Sequence, residues 1–62
     1  MKRYRIVYRY GSNSPWIEVY SNNSVGRTSD VFQHLREKHR HDPQRHFRVQ
    51  VLISGEYHTI EI

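Results

Sequence analysis

Residues Lys2–Tyr10 read Lys-Arg-Tyr-Arg-Ile-Val-Tyr-Arg-Tyr. Tyr4, Ile6, Tyr8 and Tyr10 fall on one parity, and Arg3, Arg5, Val7 and Arg9 on the other. Alternation of large apolar and charged residues at a period of two marks a half-buried strand, because successive side chains leave opposite faces of the pleat. This strand is expected to give its tyrosine and isoleucine face to a core. The other face turns a row of guanidiniums outward.

Gly11-Ser12-Asn13-Ser14-Pro15 is a turn by composition, and Trp16–Tyr20 follows as a second, antiparallel strand. Burial of Ile17 and Val19 places Trp16, Glu18 and Tyr20 on the arginine face. Two registers keep that division: one sets Arg9 opposite Trp16 and Arg5 opposite Tyr20, the other sets Arg9 opposite Glu18. After the polar connection Ser21–Arg27, Thr28 or Ser29 can cap a helix of about twelve residues with Asp30 in its first turn. Val31, Phe32, Leu35 and His39 form its apolar stripe. Lys38, His39 and Arg40 suit the negative end of the helix, and Asp42-Pro43 stops it.

His46–Ile53 alternates again, with Phe47, Val49, Val51 and Ile53 inward and Arg48, Gln50 and Leu52 outward. A two-residue Ser54-Gly55 loop sets Ile53 opposite Glu56, Val51 opposite His58, Val49 opposite Ile60 and Phe47 opposite Ile62. On the other face it pairs Leu52 with Tyr57, Gln50 with Thr59 and Arg48 with Glu61. The expected fold is α+β: one domain over residues 1–62, in the order β-β-α-β-β, with a single helix covering one face of a four-stranded antiparallel sheet. Strand order is not determined by these patterns.

The 62-residue chain carries eight arginines and two lysines against six acids, a formal net charge of +4. Up to Arg40 there are eight basic and three acidic residues, so the charge is concentrated in that part of the chain. Arginine brings planar, bidentate recognition of phosphate or carboxylate and stacks on rings. An acidic partner is therefore expected. There is no cysteine, hence neither a disulfide framework nor a thiolate metal site, and a cytoplasmic location is the simplest expectation. No apolar run approaches the ~20 residues of a membrane span, so no membrane partner is expected.

The uncovered sheet face is the first candidate site, displaying Arg3, Arg5, Arg9 and Arg48 around Trp16, Tyr20, Tyr57 and Leu52. Guanidiniums interleaved with rings suit nucleic acid, single-stranded more than duplex: charge for phosphates, flat faces for bases. Cross-strand packing in any small sheet produces the same mixture. Trp, Tyr and Arg also dominate protein-binding hot spots. The second candidate is the basic helix end with Arg36, Lys38 and Arg40, followed by Arg45 and Arg48.

The five histidines lack the i, i+4 spacing of a helical metal site, although His41, Asp42 and His46 could meet around Pro43, and His58 is expected at the core edge. No nucleophile–base pair, carboxylate pair or Gly-rich phosphate loop is apparent, so neither an enzyme nor a cofactor is expected. Two functions are consistent with this pattern. One is a nucleic-acid-binding module using both basic regions. The other is a small protein-binding or inhibitory module, of the kind phages and mobile elements encode, docking on an acidic protein surface. A symmetric homodimer would relieve the open face in either case.

Overall fold

The computed structural model describes residues 2–61. Strands β1 (Arg3–Tyr10) and β2 (Ile17–Asn22) form the first hairpin, helix α1 (Val25–Lys38) follows, and β3 (Arg45–Ile53) and β4 (Glu56–Ile60) form the second hairpin. The fold is α+β, a four-stranded antiparallel sheet in the order β2-β1-β3-β4. β1 and β3 are thus the central strands, and among the described residues four of the five buried apolar side chains (Ile6, Val7, Val49 and Val51) come from them.

The helix packs across β1, β2 and β3, and β4 reaches the core through Ile60. Phe32 enters the gap above Ile6 and Val49, with Tyr20, Val31, Leu35, Phe47 and Ile60 packed around this cluster. Each large side chain so buried is worth about 1.5–3 kcal/mol. His39, expected on the apolar stripe, stacks on Phe47 at 5.7 Å between ring centroids. Phe47 in turn packs on Tyr8, its partner across β1 and β3, at 5.2 Å.

The second hairpin has the register expected from its loop: Ile53 opposite Glu56, Leu52 opposite Tyr57, Val51 opposite His58, Gln50 opposite Thr59 and Val49 opposite Ile60. Ser54 and Gly55 both have positive φ (51° and 82°), the combination a tight two-residue turn needs to match the twist of its strands. The strand ends at Ile60, so Arg48 and Glu61 do not extend the ladder. The Phe47–Ile62 pairing lies outside the described residues.

Three expectations are corrected. The helix begins four or five residues earlier than the Thr28/Ser29 cap implied. Ser24 is the N-cap; its Oγ accepts from Arg27 N at 3.2 Å, while its own N–H donates to Asn22 Oδ1 at 2.8 Å. Thr28 lies inside the helix, fully buried, with Oγ1 donating to Ser24 O at 2.8 Å. It extends the apolar stripe one turn towards the N-terminus, and Asp30 falls outside the first turn.

The second correction is at β2. Ile6 faces Tyr20 but Val7 faces Glu18, so Val19 is an extra residue in β2, a bulge. Towards the turn, Val7 faces Glu18 and Tyr8 faces Ile17, the alignment of the first of the two expected registers, and the Arg9 and Trp16 side chains meet just beyond the paired residues. Beyond the bulge the parity flips: Arg5 faces Ser21, and Tyr20 turns to the helix side.

The third concerns the edges. Ile17, Val19 and Ile53, expected in the core, are about half exposed: the first two lie on the edge strand β2 and the third at the end of β3. His58, on the helix side of β4, is exposed as well.

Candidate functional site

The face away from the helix is built by the pleat of the two central strands. Arg3, Arg5, Val7 and Arg9 of β1 stand beside Leu52, Gln50, Arg48 and His46 of β3. Trp16 reaches this face from the residue before β2, and Tyr57 from β4. Of the ten candidate residues, the structure gathers Arg3, Arg5, Arg9, Arg48, Trp16 and Tyr57 here. Tyr20 is on the opposite side.

The face is organised as two stacks. At one end the Arg9 and Arg48 guanidiniums both lie 4.5 Å from the Trp16 ring centroid. Val7 is covered to 2% exposure on a face that no helix covers. Its cross-strand neighbours are Arg48 and Glu18, and the aliphatic stems of arginine are well suited to such covering. At the other end the Arg5 guanidinium sits 3.5 Å from the Tyr57 ring centroid. Arg5 Nε donates to Gln50 Oε1 at 2.9 Å, and Arg5 Nη1 lies 3.8 Å from Glu18 Oε1. Arg3 donates to Ser21 Oγ at 2.9 Å.

The two ends differ electrostatically. Arg5 has a carboxylate and an amide oxygen. Among the described residues, neither Arg9 nor Arg48 has a carboxylate within 4.0 Å, and Arg9 Nε is buried with no acceptor. A guanidinium held against an indole keeps its charge and loses conformational freedom, so it meets an anion at a smaller entropic cost than a free side chain.

The basic helix end lies on the other side of the sheet. Arg36 is 5.5 Å from the Phe32 ring, Lys38 is exposed, and Arg40 Nη1 is 2.7 Å from Glu37 Oε1. Arg45 joins this group. Its Nε donates to Asp42 Oδ2 at 3.0 Å and its Nη1 to Tyr8 Oη at 3.2 Å. Arg36, His39, Arg40, Asp42 and Arg45 rim an open cleft of about 450 Å³ floored by Phe32 and Phe47. Arg40 and Arg45 are each neutralised by an acid three residues away, which leaves this cleft less cationic than its arginine count suggests.

Arg48, next to these residues in sequence, projects to the opposite face. The two basic regions are therefore not one surface. Among the described residues, no three metal-ligating side chains converge, and no helix is long and apolar enough to cross a membrane. Sequence reasoning missed the burial of Val7, whose parity marked it only as part of the arginine face, and grouped His46 with the basic helix end, whereas it stands opposite Arg9. The pairing of Arg45 with Asp42, three residues before it, could have been read from their spacing.

Comparison with protein-family models, with curated protein sequences and with solved structures finds no match.

Proposed function

We propose that the chain is a non-enzymatic nucleic-acid-binding module that uses the helix-free face of its sheet. The observation supporting this reading is the Arg9–Trp16–Arg48 stack: two guanidiniums held on one indole, neither with a carboxylate within 4.0 Å among the described residues. Arg3 and Arg5 extend the positive charge along the same strand. Together the four arginines and Glu18 leave this face strongly cationic in a chain of net charge +4. The basic helix end faces away from this surface and is not part of the proposed interface.

Three phosphates engaged on a duplex correspond to a slope of log K against log salt of about −2.7, hence roughly a 40-fold loss of affinity between 50 and 200 mM salt. Replacing both Arg9 and Arg48 by Ala removes about two of those contacts and reduces the loss to roughly fourfold. Fluorescence anisotropy with labelled DNA across a salt series measures both. Absence of binding to DNA and RNA at low salt refutes the proposal.

A second reading is a module docking on an acidic protein. The observation favouring it is the exposed apolar group Tyr10, Ile17 and Val19, which lies on or beside the free edge strand β2. Exposed apolar residues at a sheet edge suit strand addition or a protein contact and have no role on phosphates. Val19→Lys abolishes such a contact and leaves nucleic-acid binding intact.

A further inference from the structure

Resting on the nucleic-acid reading, we infer that the arginine face takes double-stranded nucleic acid through its phosphates and does not stack bases. Three rings were candidates for stacking. The β2 bulge carries Tyr20 to the helix side, where it packs on the core and contributes nothing to this face. Tyr57 already has the Arg5 guanidinium 3.5 Å from its centroid. Trp16 carries two guanidiniums, Arg9 and Arg48, each at 4.5 Å.

Stacking modules present aromatic rings on which successive bases lie, and it is the free ring face that binds single strands. Here a base would have to displace a guanidinium or share the ring with it. Displacement costs the cation–π contact and also uncovers Val7, which is 2% exposed beneath the Trp16 end of the face. What the rings do instead is orient the arginines. A guanidinium lying flat on a ring still directs the N–H groups of its edge sideways and outward, the geometry that receives a phosphate.

The arrangement also suits a duplex in its charge density. Duplex DNA carries one negative charge per ~1.7 Å of axis, against one per ~3.4 Å along each of its strands, so a rigid cationic sheet face meets more phosphates on the duplex. The four arginines sit on two adjacent strands, with Arg48 opposite Val7 and so between Arg5 and Arg9 along the sheet. Such a compact patch matches a surface of phosphates better than a single threaded chain. The duplex is read by charge and shape, without sequence discrimination.

Trp16 is the only tryptophan and provides the test. The full chain is titrated at low salt with a 20-base-pair duplex, with oligothymidylate of the same length, and with inorganic polyphosphate, which has phosphates but no bases. Affinity is followed by anisotropy or competition, and indole emission is followed in parallel. The expected result is duplex affinity at least equal to that of oligothymidylate, competition by polyphosphate, and the same emission change with all three. Tyr57→Leu, folded by circular dichroism, is expected to bind the duplex within threefold of the parent chain.

Tenfold tighter binding of oligothymidylate, with indole quenching beyond that caused by polyphosphate, overturns this inference and leaves nucleic-acid binding in place. A tenfold loss of nucleic-acid affinity on Tyr57→Leu, with polyphosphate affinity unchanged, overturns it as well. Failure of both nucleic acids to bind overturns the inference together with the function on which it rests.

Discussion

Replacing Trp16 with alanine tests whether one residue outside the regular strands holds the helix-free face together. The indole contacts two guanidiniums, each worth about 0.5–1 kcal/mol at a partly exposed site. It also stands over the end of the face where Val7 is almost fully covered, and partial exposure of that valine adds about 1 kcal/mol. The expected loss is about 2–3 kcal/mol. In a domain of this size a single core rarely supplies more than about 3–5 kcal/mol, so the variant should be close to its limit of stability. The corresponding drop in melting temperature is roughly 10–20 °C.

Urea denaturation followed by far-ultraviolet circular dichroism measures the effect without relying on the lost fluorophore. The midpoint should fall while the slope stays nearly constant, because the surface exposed on unfolding changes little. Trp16→Phe keeps a ring for the guanidiniums and should lose less than half as much. A Trp16→Ala variant within about 0.5 kcal/mol of the parent chain refutes the reasoning, since surface changes of no consequence fall in that range. Arg9 and Arg48 would then be ordinary mobile side chains, and the case for their preorganisation would go with them.

Two further substitutions separate helix side from arginine side and locate the helix start. Tyr20→Ala should cost about 2–4 kcal/mol in stability, as for a partly buried core aromatic, while leaving nucleic-acid affinity within twofold at a temperature where the variant is folded; equal stability with lost affinity would return Tyr20 to the arginine face. Ser24→Ala should lose about 1 kcal/mol in chemical denaturation and Ser29→Ala less than about 0.5, and the reverse order would place the cap where the sequence pattern suggested.

The parity of β1 and β3 was readable because each alternates over most of its length with no irregularity, and their mutual pairing preserves that alternation. The Ser54-Gly55 hairpin was readable because the loop length and the burial of Val49, Val51 and Ile60 demand the same register. The bulge was not. An inserted residue leaves the local composition unchanged, and the adjacent apolar pair Val19-Tyr20 was its one trace in the sequence. The helix start was hidden because Thr28 and Ser24 are both polar; one is buried with its hydroxyl satisfied by the backbone, and the other stands outside as the cap. At the candidate site the pairing of Arg9 with Trp16 was one of the registers expected. That two guanidiniums share the indole depends on β3 lying next to β1, a neighbour relation no local pattern encodes.

That neighbour relation bears on how the chain comes to be folded. The middle of the sheet joins residues far apart along the chain: Arg5 and Gln50, bonded through their side chains, are 45 positions apart. The first hairpin alone has no partner for the inner edge of β1, and neither Ile6 nor Val7 is buried until β3 arrives. Isolated two-stranded hairpins are marginal in water, and closing a loop of this length costs entropy before any long-range contact forms. Acquisition of structure should therefore be a single late event. During synthesis, everything up to about Ile53 has to emerge before a core can assemble, and a product cut off before β3 would leave its arginine-rich first strand unprotected and open to degradation.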